Sequence, residues 1–388
     1  MLTPRIAFIN YKTKKTKVTV IKKKLIDLIK DKNQIIHSLS KNYKNNFNKQ
    51  VLNKYKNSLN YRVIGMGGSS LGTKAIYNFL KHKIKKKFIF IDNLKIKKIK
   101  KSKNKLKKCT NIIVSKSGNT IETIVNSNLL IKRNNKNIFI TENKENYLHL
   151  LAKKLKAEII HHNNYIGGRY AVLSEVGMLP ADLMGLNINN FKQLNYLIKN
   201  KSFFNALISS VSSTPYFINK KKFNSIIINY DAKSENLFNW YQQLMAESLG
   251  KNNKGLLPII SNMPKDNHSV MQLYLDGFKN NFFTFFDVKE YGSEKINNHQ
   301  ILSSKDYLKN KNLSDIVFAQ KKATENIFRK KNIPFRSFEI NKRDEKTLGE
   351  LFCFFILETI LIGKLLNINP YDQPAVELIK KETKRLLI

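Results

Sequence analysis

Cysteine is scarce in this chain, and arginine is scarcer than the charge would suggest. The two cysteines, Cys109 and Cys353, stand far apart in 388 residues, with no CxxC spacing and no cluster of ligating side chains beside either. That excludes a disulfide framework and a cysteine-based metal site, and it points to reduced thiols and a cytoplasmic setting. The apolar patch in MLTPRIAFINYKTKKTK is too short for the core of a signal peptide. Long hydrophobic runs are missing too. The longest, LFCFFILETILIGKLL over residues 351–366, is interrupted by Glu358 and Lys364. It falls short of the ~20 residues a membrane span needs, so it reads as a buried helix and no membrane partner is expected.

Acids are few. Asp and Glu number 28 against 70 Lys and Arg, a formal charge of +42, yet only eight of those cations are Arg. Charge alone would suit a nucleic-acid binder. Bidentate recognition of phosphates and bases belongs to Arg, however, and here the excess is Lys mixed with Asn and Ile, as in KHKIKKKFIFIDNLKIKKIKKSKNKLKKC. The reading is a solvated surface without a nucleic-acid partner, one that still attracts small phosphorylated anions at long range. A hydrophobic content of 42% with 11% aromatics marks a globular chain, long enough for two cores.

The first sixty residues show weak helical periodicity and predict one or two surface helices. From Tyr61, short apolar runs alternate with helical patterns: RVIGM, FIFID, NIIVS, NIFIT and EIIHH read as strands. After a helical stretch from about Ser174 to Phe204, the alternation restarts with SIIINY, GLLPIIS, NFFTFFDV and PFRSFEI. Two successive α/β units with parallel sheets follow from that pattern.

Two loops are candidate phosphate cradles. In GMGGSSLG, residues 65–72, glycines sit between a strand and a helix N-terminus, where backbone N–H groups suit an anion. The spacing is not a dinucleotide fingerprint, and no nicotinamide or other cofactor is expected. In SKSGNTIET, residues 115–123, hydroxyls and one lysine open onto a helix. Either alone could be a capped turn; together they favour a sugar-phosphate site. In WYQQLMAESLGK, Gln243 and Glu247 share a helix face, where an ordinary pairing of Glu247 with Lys251 is the plain alternative. Arg169 follows paired glycines, His268 stands in a polar loop, and Lys380 lies in the last helix. No set of residues has metal-ligand spacing.

Taken together, IGMGGSSLGTKA, VSKSGNTIET, GGRYAVLSEVGMLPA, WYQQLMAESLGK, NHSVMQLYLDG and NPYDQPAVE resemble the glucose-6-phosphate isomerase family in order and spacing, from about Tyr61 onward. The resemblance implies two sugar-isomerase-type α/β/α sandwich domains, with limits at 59–204 and 205–366, between an N-terminal helical segment (1–58) and a C-terminal turn and helix (367–388). It implies a metal-free isomerisation of glucose 6-phosphate and fructose 6-phosphate. By position, Gly68, Ser69, Ser115, Lys116, Ser117 and Thr120 match the phosphate-binding set. Glu247 matches the base, and Arg169 the residue beside the enediolate oxygens. His268 and Lys380 match the ring-opening pair, and Gln243 and Gln373 the substrate-contacting glutamines. The family's histidine comes from a neighbouring subunit, which implies a homodimer with shared sites. Ala375 and Ile379 depart from the family's usual glycines, which bears on the aim of Lys380. A non-catalytic sugar-phosphate sensor, and an isomerase that also accepts mannose 6-phosphate, are the alternatives.

Overall fold

The computed structural model describes residues 1–31, 33–95, 109–290 and 292–388. The lysine-rich run over residues 96–108 lies outside them. The chain opens on a short strand, β1 (Ile6–Ile9), followed by the helices Val18–Lys30, Gln34–Ser38 and Lys49–Tyr55. The helical segment expected over residues 1–58 thus contains helices and one element more. Four residues are too few to display a period. The partner decides β1, which lies antiparallel along the edge of the second sheet with Ile6 opposite Ile340.

Five strands, β2 (Asn60–Ile64), β3 (Lys87–Ile91), β4 (Thr110–Val114), β5 (Asn137–Glu142) and β6 (Glu158–His162), form a parallel sheet in the order β3-β2-β4-β5-β6. A second sheet takes β7 (Asn224–Asn229), β8 (Leu257–Asn262), β9 (Asn281–Val288) and β10 (Phe335–Ile340), ordered β1-β10-β9-β7-β8 and parallel apart from β1. Isoleucine-rich runs such as Ile226–Ile228 and Ile112–Ile113 are buried on both faces of these sheets, as parallel strands between helices require.

Each sheet has one place where the chain reverses its order of winding. β2 is flanked by β3 and β4, and β7 by β8 and β9. The loops leaving the C-terminal ends of such neighbouring strands diverge to opposite faces and leave a crevice between them, the usual ligand site of open α/β sheets. The glycine loop after β2 and the serine loop after β4 border the first crevice.

The apolar run over residues 351–366 belongs to a helix, Glu345–Leu365, buried everywhere except Lys346 and Lys364. Its inner acids are matched rather than stranded: Glu350 accepts from Thr3 Oγ1 at 2.7 Å, and Glu358 from Ser210 Oγ at 2.9 Å and from Arg336. Among the described residues no helix is long and apolar enough to cross a membrane. The division expected between residues 204 and 205 falls inside a helix, Lys201–Asn219, started by the Asn200 side chain capping the Phe203 amide. After Leu365 a short strap leads to the helix Pro374–Leu387, none of whose residues is buried.

Candidate functional site

The glycine loop is shaped by a close approach. A Cβ on Gly68 would stand 2.1 Å from the Gly168 carbonyl carbon and 2.4 Å from the Arg169 amide nitrogen, so only glycine lets these two backbones meet. This contact delivers Arg169 to the crevice. On its other side the loop reaches the helix Glu235–Leu249, where the Gln243 carboxamide lies 2.7 Å from where a Cβ of Gly67 would be.

The serine loop closes on itself. Ser115 Oγ and Thr120 Oγ1 share a hydrogen bond of 2.9 Å, the Gly118 amide donates to the Ser115 carbonyl at 3.1 Å, and Gly118 takes a φ of +66°. The Asn146 side chain sits where a Cβ of Gly118 would go, and Thr141 Oγ1 and the Glu142 amide both donate to the Lys116 carbonyl. Among the described residues no side chain caps the helix Ile121–Leu130 that follows, which leaves its first N–H groups unclaimed. Burial lowers the Lys116 ammonium's affinity for its proton, opposed by Glu142. Ser69 is half-buried at the neighbouring glycine loop and Ser117 is exposed. Contacts through Gly65, whose Cβ position is 2.9 Å from the Val114 carbonyl, join the two loops.

The second half of the site is an arginine with every donor engaged. Arg169 is buried. Its Nε donates to Ser248 Oγ at 2.8 Å, and its Nη1 to Glu247 Oε2 at 3.2 Å and Gln373 Oε1 at 2.6 Å. Its Nη2 donates to the carbonyls of Pro370 and Asp372 at 2.8 and 3.0 Å. Gln243 Nε2 donates to Glu247 Oε1 at 2.8 Å, as the four-residue spacing on one helix face requires. Gln243 Oε1 is buried and accepts nothing from the described residues. One carboxylate, one guanidinium and two carboxamides therefore meet beside a loop system with open N–H and O–H groups. Such a set can hold a small polar anion, move a proton, and neutralise an oxyanion.

The chain matches the phosphoglucose isomerase family over residues 9–387.

The chain belongs to the phosphoglucose isomerase family.

Relatives agree with that placement. The chain is 34% identical over 340 residues to a glucose-6-phosphate isomerase of Methanocaldococcus jannaschii, covering 83% of each. It is 32% identical over 341 residues to one from Campylobacter jejuni, covering 83% of this chain and 84% of that one. In fold it is similar to a hypothetical protein of Thermus thermophilus, with a TM-score of 0.81 and 21% identity over 95% of this chain and 94% of that one. A glucose-6-phosphate isomerase of Chlamydia trachomatis gives a TM-score of 0.75 at 16% identity, over 98% of this chain and 88% of that one.

Of the residues matched to the phosphoglucose isomerase pattern, Glu247, Arg169, Gln243 and Gln373 are joined by hydrogen bonds, with Gly68 and Ser69 in the loop against them. Ser115, Lys116, Ser117 and Thr120 form the second loop of the same crevice. His268 and Lys380 are not gathered. His268 is exposed in a short turn, Lys265–His268, and Lys380 is exposed and donates to Glu377 at 2.6 Å. Ile379 beside it is 69% exposed, so its extra bulk over glycine is mostly turned to solvent within one chain. The plain pairing of Glu247 with Lys251 is overturned. The helix stops at Leu249, which carries Lys251 off its face to donate to Asp372 at 2.7 Å, while Glu247 takes Arg169.

Sequence reasoning missed Ser248, Tyr170, Trp240 and Asn146. Trp240 Nε1 donates to the Arg169 carbonyl at 3.0 Å, and Tyr170 Oη donates to the Pro370 carbonyl at 2.8 Å. Ser248 and Tyr170 lie within quoted motifs, adjacent to Glu247 and Arg169. That adjacency was the available signal. Nothing local marked Asn146.

Proposed function

We propose that this protein interconverts glucose 6-phosphate and fructose 6-phosphate, with the phosphate held by residues 115–120 and Ser69 and the reacting carbons at Glu247 and Arg169. The observation that carries the reading is the hydrogen-bonded Arg169–Glu247–Gln243 group across the glycine loop from an uncapped serine cradle. Isomerisation moves a proton between adjacent carbons, so one base must reach both. Glu247 takes the proton from C2 of the opened aldose and the electron pair passes to the C1 oxygen; the hydroxyl proton then moves from the C2 oxygen to the C1 oxygen, and the same carboxyl returns the carbon-bound proton to C1 as a carbonyl forms at C2. The Arg169 Nη1 group, beside Glu247 and Gln373, neutralises the intervening enediolate oxygens. Phosphate binding is remote from the bond changes and serves to hold the reacting carbons in place. The unclaimed Gln243 Oε1 accepts from a sugar hydroxyl.

His268, reaching in from a second copy, and Lys380 open the sugar ring in this reading, which makes the protein a homodimer with shared sites. Two observations support it. His268 and Lys380 lie exposed and neither hydrogen-bonds Glu247 within one chain, and the helix Pro374–Leu387 leaves Leu378, Ile379 and Leu386 more than two-thirds exposed, as a helix awaiting a partner does. We assign the first sugar-isomerase unit to the sheet β2–β6 and the second to the sheet β7–β10, completed by β1, with the helix Lys201–Asn219 between them in sequence, and the protein to the cytoplasm, where the buried free thiols Cys109 and Cys353 persist.

The test is a coupled assay on fructose 6-phosphate. Glu247→Gln is expected to lower kcat on the order of 10²–10⁴-fold. Full activity in that variant removes Glu247 as the base, and an inactive wild type ends the reading.

A further inference from the structure

Arg169 spends its five N–H groups unequally. Nη1 faces the half-buried Glu247 and the exposed Gln373, both at the crevice. Nε and Nη2 point the other way, to Ser248 Oγ and to the carbonyls of Pro370 and Asp372. Ser248 is completely buried and lies one position after the proposed base, on the same helix. Its hydroxyl also shares a hydrogen bond of 2.8 Å with Tyr170 Oη, and Tyr170 follows Arg169 directly in the chain. Tyr170 Oη donates at 2.8 Å to the Pro370 carbonyl, which already accepts from Arg169. Arg169, Ser248, Tyr170 and Pro370 thus form a closed ring of hydrogen bonds behind the crevice.

The donor count fixes the direction of that ring. Tyr170 has one O–H, and it goes to Pro370, whose carbonyl can only accept. Ser248 Oγ accepts from Arg169 Nε, so the 2.8 Å contact with Tyr170 Oη is satisfied by the serine's own proton. Each hydroxyl hydrogen is used once, and the guanidinium is held through Nε and Nη2 while Nη1 faces Glu247 and Gln373.

We infer that Ser248 and Tyr170 are positioning residues for the reaction: they set the plane of the Arg169 guanidinium so that Nη1 alone is free to exchange its protein partners for enediolate oxygens. The same ring ties the strap over residues 368–373 to the helix that carries Glu247. Lys251, which donates to Asp372 and to the Asn369 carbonyl, adds a second tie from that helix. The four residues from Glu247 to Gly250 and the lysine after them therefore do two tasks. Glu247 meets the substrate, and Ser248 and Lys251 fasten the segment that brings Gln373. A misplacement of about 1 Å at a charge-neutralising group costs on the order of 10²-fold in rate, so a ring that only orients is worth as much as a direct contact. The inference rests on the proposed reading of Arg169 as the group facing the oxyanion.

The experiment compares Ser248→Ala and Tyr170→Phe with wild type in the full chain, alone and in an Arg169→Lys background. Three readouts are used: turnover of fructose 6-phosphate, binding of a phosphorylated sugar acid whose carboxylate imitates the enediolate, and binding of inorganic phosphate. Ser248→Ala is expected to lower kcat and kcat/KM together by about 10–100-fold and to weaken the sugar acid by about tenfold, with inorganic phosphate unchanged. Tyr170→Phe, which keeps the aromatic side chain but removes the Oη hydroxyl while Ser248 still takes Arg169 Nε, is expected to give a smaller loss of the same pattern. In the Arg169→Lys background, where no Nε–H remains, Ser248→Ala is expected to add nothing further. Equal losses in both backgrounds, a parallel loss of phosphate binding, or unchanged affinity for the sugar acid would each overturn the inference. An inactive wild type defeats the functional reading alone, and the two binding readouts still decide the roles of Ser248 and Tyr170.

Discussion

The two sheets present the same topological crevice and fill it in opposite ways. At the first, between β2 and β4, the loops are glycine and serine, the following helix is uncapped, and the carboxamide of Gln243 keeps one buried oxygen unmatched. At the second, between β7 and β9, the side chains close on one another. Arg343 makes paired hydrogen bonds of 3.1 and 2.8 Å to Asp231 and one of 2.8 Å to Glu290, which also takes Lys233. Arg343 further covers the Phe79 ring at 4.8 Å. The fold supplies the place twice. Whether a crevice binds is decided by whether its polar groups are spent on the protein or left for a ligand.

The sharpest way to break the contrast is to fill the first crevice with one methyl group. Gly68→Ala puts a carbon against backbone atoms of Gly168 and Arg169 that have no side-chain freedom to retreat. The two loops must part, and Arg169 moves with them. Turnover of fructose 6-phosphate is expected to fall on the order of 10²-fold or more. A substitution that leaves kcat/KM within threefold of wild type would show that this approach does not place Arg169.

Much of this contrast was readable from the chain alone, for physical reasons that differ by element. Parallel strands packed between helices announce themselves as apolar runs, so β2 to β10 could be read from sequence. Loops built on glycine and serine stand out because few other residues serve an anion with backbone and hydroxyl groups. β1 could not be read, because its strand state depends on an edge some 330 residues away. The ring behind Arg169 escaped for a related reason. A serine next to a glutamate has no local signature, and its role exists only once residues 169, 248 and 370 are brought together. Lys251 was drawn toward Glu247 by sequence distance, and the end of the helix at Leu249 sends it elsewhere.

A smaller effect is expected from opening the second crevice. Arg343→Met keeps a chain over Phe79 but leaves Asp231, nearly buried, without its cation. Removing one partner of a buried pair costs about 3 kcal/mol, which denaturant unfolding reads directly. Kinetics on fructose 6-phosphate are expected to stay within twofold of wild type. If kcat/KM falls more than stability does, the second crevice takes part in the reaction and the division between an open and a closed crevice fails.

The smallest effect lies in acid, and it separates the sheets by the kind of group each relies on. Glu339, near the end of β10 and paired in register with Asp287 of β9, faces the cations Lys322, Lys289 and Lys321. Burial pushes its carboxyl up, but the hydrogen bonds from Lys322 and Lys289 and the nearby Lys321 outweigh that and bring it down to about 2. A folded-state value below the unfolded one means that the unfolded chain takes up a proton first as pH falls. The stabilisation is therefore complete above the unfolded carboxyl value of about 4.3 and is lost progressively toward pH 2. Two partners of Glu339, Lys289 and Lys322, are themselves more than a third exposed, so the contribution is on the order of 1 kcal/mol once screening is allowed for. Wild type and Glu339→Gln should differ by that amount at pH 6 and converge near pH 2, and added salt should narrow the gap. Ser115→Ala in the hydroxyl-built cradle carries no such group, so its stability difference from wild type should stay flat across the same range. A gap for Glu339→Gln that does not close in acid would show that the ion pairs of the second sheet contribute packing rather than charge, and that the two crevices differ in shape more than in electrostatics.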